Sequence, residues 1–266
     1  MNRMFADHTG DPMIIAALHL PDLSTASDTS MAFLEDYVLA NTEVFTGAGI
    51  RRIMLQDQTR RRGAATPQTV AITSALGRVM KRQFPDLTLG IIVQAHDAVA
   101  PLAIAHASGA DFVRLKVFVG AAMTMEGSRE ALAVEARTYR HQIRRDDIAI
   151  LADVFDRTSV PLIDVPPEEA AVAAVKLGAD ALVLTGSSFA DSLDRIAKAK
   201  RAGVKRPILL GGSVTADNVA EALATADGAI VSTSLMRKDA APGDLLLWDA
   251  DKSRAFMDRA LAALPA

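Results

Sequence analysis

Residues 207–234 read PILLGGSVTADNVAEALATADGAIVSTS, and they hold one complete period of a repeating pattern. A short apolar run is closed by Gly211 and Gly212, Thr215–Asp217 look like the cap of a helix, and an amphipathic stretch continues through Ala224. A second β-rich run begins at Asp227 and ends in Ser232, Thr233 and Ser234. Apolar runs of this length fit parallel strands buried on both faces. Six more precede this pair: MIIAALHL from Met13, IRRIMLQ from Ile50, LTLGIIVQ from Leu87, DFVRLKVFV from Asp111, IAILADVF from Ile148 and DALVLTG from Asp180. Their spacing, roughly 20–40 residues, suits strand, loop, helix, loop units. Three runs are announced by the same device, in TGAGIRR, ASGADFVR and KLGADALV, where glycine ends one helix and turns the chain into the next strand.

Segments 131–143, 166–176 and 249–264 carry helical periodicity between the runs. No linker or shift in composition divides the chain. The prediction is one α/β domain over residues 1–266, a single (β/α)8 TIM barrel, with residues 1–12 as an N-terminal extension. A doubly wound open sheet would place a glycine-rich loop after the first strand, and none follows Leu20.

Composition narrows the function. The chain has 266 residues, half of them hydrophobic and 23% charged, which excludes disorder. It has no cysteine, which removes disulfides, thiolate catalysis and cysteine-ligated metals. A net charge of −3 argues against a nucleic-acid partner. No apolar run approaches the length of a membrane span, and the N-terminal MNRMFADHTGDP lacks a signal-peptide core. A cytoplasmic protein is expected. Residues 70–79 and the alanine-rich final helix offer apolar outer surface for a homo-oligomer.

In many barrels the loops after the last two strands bind a phosphate group. Gly211, Gly212 and Ser213, with Ser232 and Thr233, are the candidates here. The alternative is that the glycines form a turn and the serines cap helices.

The blocks AALHLPDL, GADFVRLKVFVGAAMTMEG, EARTYRHQI, IAILADVF, ADALVLTG and GGSVTADNVAEAL…ADGAIVSTSLM together resemble the BtpA family over nearly the whole chain. The resemblance implies a (β/α)8 fold and a soluble or peripherally attached protein. The family's name, taken from photosystem I biogenesis, implies an assembly or stability factor. The chain departs from the family pattern at Gln56-Asp57, at Ile92 and His96, at Lys116 and at Arg157-Thr158. These positions lie at predicted strand C-termini, so the resemblance implies a kept scaffold with its own ligand.

Alternation along the fourth run turns Val113, Leu115 and Val117 toward the helices and Phe112, Arg114, Lys116 and Phe118 into the barrel. Buried charges need partners, and Asp153 on the next strand is expected to pair with Lys116. The arrangement is either a structural ion pair or an electrostatic clamp for an anion. A Schiff-base role for Lys116 would require burial or a nearby cation such as Arg114 to lower its pKa. His19 closes the first run as a candidate acid or base. Asp57, His96 and Thr185 add polar groups to the same rim as candidate ligand contacts. His19, Asp57, His96 and Asp153 are the residues that would hold zinc or magnesium, but they lack the spacing of a metal motif, and no cofactor is expected. Arg60, Arg61 and Arg62 lie on a loop that either covers the site or is simply solvated. The leading expectation is an enzyme for a small phosphorylated or anionic metabolite, with lyase, aldolase or isomerase chemistry that stabilises an enolate-like anion. The alternative is a non-enzymatic assembly or stability factor for a protein complex.

Overall fold

Every apolar run becomes a strand in the computed structural model, which describes residues 3–5, 10–25, 29–155, 158–241 and 243–264. The strands are β1 (Ile14–His19), β2 (Arg52–Gln56), β3 (Thr88–Ile92), β4 (Phe112–Leu115), β5 (Ala121–Thr124), β6 (Gly127–Glu130), β7 (Ala149–Asp153), β8 (Val160–Pro161), β9 (Ala181–Leu184), β10 (Ile208–Leu210) and β11 (Gly228–Val231). The helices are α1 (Met31–Gly47), α2 (Pro67–Gln83), α3 (Ala100–Ser108), α4 (Ala133–Gln142), α5 (Pro167–Lys176), α6 (Phe189–Arg201), α7 (Val219–Thr225) and α8 (Ala250–Ala262). Eight parallel strands close into a barrel in the order β1-β2-β3-β4-β7-β9-β10-β11. The chain is a (β/α)8 barrel.

Alternation splits each strand between two cores. Ile15, Met54, Phe112, Leu151, Val183 and Ile230 fill the barrel interior, while Ala16, Ile53, Val113, Ile150 and Leu182 pack against the helices. Burying side chains of this size stabilises by about 1.5–3 kcal/mol each. The interior is closely fitted: a Cβ at Gly90 would lie 2.1 Å from the Phe112 ring, so only glycine lets that ring cross the barrel. Helix-ending glycines behave as the sequence requires. Gly109, at φ +80°, takes the left-handed conformation and donates its N–H to the Ala105 carbonyl.

The structure departs from the sequence reading after the fourth barrel strand and at the start of α7. The fourth strand stops at Leu115, because Val117 adopts φ +51° and its carbonyl accepts from Leu132 N–H. A β-branched residue in that region costs about 1–2 kcal/mol. Beyond the kink the alternation is lost, and Phe118 joins the helix-side core instead of the interior. Residues after the kink form β5 and β6, which pair with β8 in a small antiparallel sheet ordered β6-β5-β8. In the N-terminal extension Met4 is fully buried in the barrel interior, and Arg52 binds both its carbonyl and the Asp11 carboxylate. Finally, the helix expected from about Asp217 begins at Val219, with Asn218 before it. Among the described residues no helix is long and apolar enough to cross a membrane.

Candidate active site at the barrel mouth

The C-terminal ends of the strands surround a cavity of ≈ 440 Å³. Its two sides are built from different materials.

On the β10–β11 side the lining is mostly backbone. Gly211 is packed so closely that a Cβ would fall 2.2 Å from Thr185 Oγ1. Gly212 follows at φ +141° and Ser213 at φ +61°, a conformation that exposes main-chain groups to the cavity loop. Asn218 staples this loop: its Oδ1 accepts from Thr215 N–H at 2.8 Å and its Nδ2 donates to the Ser213 carbonyl at 3.0 Å. The N–H groups of Gly212, Thr233 and Ser234 find no acceptor among the described residues. Ser234 Oγ is buried, also without a partner. Unpaired donors around a cavity are what an anion satisfies.

On the β3–β4–β7 side the lining is charged side chain. Arg114 grips Asp153 with two bonds, Nε to Oδ1 at 2.8 Å and Nη2 to Oδ2 at 3.0 Å. This corrects the expected Lys116–Asp153 pairing. The planar guanidinium reaches along the barrel and matches both carboxylate oxygens, a geometry the lysine ammonium lacks. Lys116 instead donates to Gln94 Oε1 at 3.0 Å. An ammonium only donates, which fixes the Gln94 amide with oxygen toward Lys116. Because Arg114 is compensated by Asp153, it is not the bare cation that the Schiff-base idea requires.

His19 ends β1 within reach of Ser232: Nε2 and Oγ are 3.3 Å apart, and Ser232 Oγ donates to the Ala17 carbonyl at 2.8 Å. The Ala17 carbonyl only accepts, so the arrangement that satisfies both contacts has the hydroxyl donating to Ala17 and His19 Nε2 donating to Ser232, with the lone pair on Nδ1. Burial pushes the His19 pKa down to about 4, so the ring is neutral at pH 7. Tyr37 donates to the His19 carbonyl and Trp248 lies edge-on to the ring, which fixes its orientation.

Two other rim residues are turned away. Asp57 is completely buried and accepts from the Thr59 and Gln94 N–H groups, tying together the loops after β2 and β3. Burial raises its pKa, and those donors oppose the shift. His96 lies against β6, its Nε2 bonded to the Glu130 carbonyl at 2.9 Å. Burial foremost, then Arg129, lowers its pKa. Neither residue lines the mouth cavity. Among the described residues no three carboxylate or imidazole groups converge as a metal site, since His19, Asp57, His96 and Asp153 each serve separate partners. Thr185 does line the cavity, as does Arg60, which also pairs with Glu126 at 3.5 Å. Arg157 lies outside the described residues. Gln56, a departure from the family pattern, lines the cavity, and so does Gln94, which the sequence reading passed over although it closes the run LTLGIIVQ where a barrel strand meets its mouth.

The BtpA family profile matches residues 11–262. An uncharacterised protein of Archaeoglobus fulgidus is 35% identical over 172 residues, covering 64% of this chain and 68% of that protein. The photosystem I biogenesis protein BtpA of Synechocystis is 32% identical over 172 residues, covering 63% of this chain and 60% of its own length. Among solved structures, 3-hexulose-6-phosphate synthase superposes with a TM-score of 0.55 at 14% identity, covering 95% of this chain and 99% of that one. At that identity the likeness is one of fold.

Proposed function

This chain belongs to the BtpA family, and from that premise we propose that its barrel mouth is an enzyme site for a small phosphorylated or otherwise anionic metabolite. One observation carries the reading: unpaired backbone donors at Gly212, Thr233 and Ser234 share a cavity with Lys116 and Arg114. Gly211, Ser213 and Ser232 shape the anion end. Neighbours of the same fold include a synthase named for a sugar phosphate, which agrees with this class of ligand.

The chemistry that fits is lyase, aldolase or isomerase chemistry through an enolate-like anion. Neutral His19, with its Nδ1 lone pair, is the base that takes a proton from carbon. Asp153 is committed to Arg114 and holds that guanidinium in place. Lys116, steered by Gln94, donates to the oxygen on which negative charge develops. The test is a panel of small phosphate esters and carboxylates against wild type and Lys116→Met, read by thermal shift and by product formation. We expect at least one phosphorylated compound to stabilise the wild type and turn over, with turnover reduced by at least a hundredfold in Lys116→Met. No response to any member of the panel would overturn the reading.

A second reading, an assembly or stability factor, draws on the exposed sheet beside the mouth, where Met123, Met125 and Val160 are 45%, 97% and 67% exposed. Large exposed apolar side chains on one small sheet are a surface of the kind partners cover. It predicts that a Met123→Ser/Met125→Ser double variant loses partner capture while ester binding is unchanged.

A further inference from the structure

A second cavity, ≈ 630 Å³, opens beside the mouth between the loop after β7 and the turn after β9, and Thr185 lines both. Its outer wall carries Phe155, Leu162, Ile163 and Val165, with the Asp164 carboxylate among them. Leu162 is 53% exposed and Ile163 41%, so both present uncovered hydrocarbon.

That wall is preformed. Leu162 N–H donates to the Ala121 carbonyl at 2.9 Å, and β8 pairs with β5 through Ala122–Pro161 and Met123–Val160. Ile163 rests on Gly120, whose φ of +71° and missing side chain make the room; a Cβ there would lie 2.7 Å from Ile163 Cδ1. The facing turn is equally fixed: Gly186 N–H donates to Ser192 Oγ at 2.8 Å and Ser187 N–H to Asp191 Oδ2 at 2.7 Å. Arg195 reaches the same turn, but Asp191 holds it at 3.0 Å and compensates its charge. Rigid apolar groups that water touches in the free protein gain from being covered in proportion to area, and they need not be ordered first.

We propose that this second cavity is an apolar subsite that takes the uncharged end of the molecule whose anionic end occupies the mouth. The ligand class is then narrower than a phosphorylated metabolite: an anion, such as a phosphate monoester, carrying a ring or a short branched hydrocarbon. Thr185 lines both cavities and so sets them side by side, which selects as occupant the far end of a molecule seated in the mouth. The inference rests on the mouth being an anion site, and its test separates the two.

The probes are inorganic phosphate, phenyl phosphate and benzyl alcohol, titrated into the full chain carrying labelled isoleucine methyl groups, with the Ile163 signal assigned from Ile163→Val. Phenyl phosphate should bind at least tenfold more tightly than inorganic phosphate and shift the Ile163 methyl. Ile163→Ser should erase that tenfold and leave inorganic phosphate binding unchanged; Ile163 is exposed, so folding is not at stake. If both phosphate compounds bind but phenyl phosphate does so no more tightly than phosphate, or leaves the Ile163 methyl unmoved, the subsite is overturned and the anion site stands. If neither phosphate compound binds but benzyl alcohol shifts Ile163, the apolar subsite is supported and the anion reading falls. If no probe shifts Ile163, the subsite is overturned.

Discussion

Two arginine–aspartate pairs sit at opposite ends of the same barrel. At the N-terminal end, Arg52 and Asp11 meet at 2.8 Å under the cover of Met4. At the C-terminal end, Arg114 and Asp153 meet at the same distance with side-chain exposures of 12% and 2%, beside an open cavity that also holds Lys116 and Gln94. The chemistry of the pairs is alike and their surroundings are not. The lower pair fastens the N-terminal segment across the barrel floor. The upper pair keeps a guanidinium in place at a cavity whose far side presents unpaired backbone donors. The contrast separates a charge pair that closes the fold from one that borders an open cavity.

The sharpest break of that contrast is Asp153→Ala, which removes the carboxylate that Arg114 grips. Removing one partner of a buried pair costs about 3–5 kcal/mol, to be read by denaturant unfolding at pH 7. Replacing both, as Arg114→Met with Asp153→Leu, should recover most of that stability while ligand binding stays lost. Asp11→Ala should cost a similar amount, about 3–5 kcal/mol, because the charge it leaves behind, Arg52, is only 3% exposed. It should leave anion affinity unchanged. Equal losses of binding in the two single variants would erase the distinction.

His19 sharpens the account of the mouth. Burial holds its pKa at about 4 in the folded protein, against 6.5 for a free imidazole side chain. Below pH 6.5 the unfolded chain takes up a proton that the folded chain refuses, so stability falls as pH drops from 6.5 toward 4. Discounting for partial exposure, wild type should lose about 1–2 kcal/mol between pH 7 and pH 5 that His19→Asn does not lose. Asp57, raised by burial, titrates with the opposite sign, and the difference between the two proteins cancels it. Parallel pH curves would show that His19 is not held neutral by burial.

The barrel was legible because its evidence is local and repeated: eight apolar runs, and helix-ending glycines such as Gly109 at the expected turns. The strand alternation also placed Arg114 inside the barrel. What failed was what depends on reach and on loops. Lys116 and Arg114 were equally entitled to Asp153 by alternation alone, and only the length and fork of the guanidinium decided it. The β5–β6 hairpin hides in a stretch, AAMTMEGSRE, that reads as the tail of a strand until Val117 kinks the chain. Asp57 and His96 sit at strand ends like true ligand contacts, yet their hydrogen bonds belong to neighbouring loops. Met4 carried no periodic signal, being a single residue plugged into the barrel floor.

The central claim is that backbone donors at the β10–β11 end bind an anion. Gly212 lies at φ +141°, where any side chain strains the loop, so the added charge belongs at exposed Thr233, whose N–H is one of the unpaired donors. Thr233→Asp sets a carboxylate against the bound anion, and like charges about 4 Å apart cost roughly 1 kcal/mol in water and several near a protein surface. Isothermal titration of inorganic phosphate into wild type and Thr233→Asp should therefore show binding by wild type and at least a tenfold loss in the variant, tenfold being about 1.4 kcal/mol. Equal affinity in the two proteins, or no binding by wild type, would contradict the account.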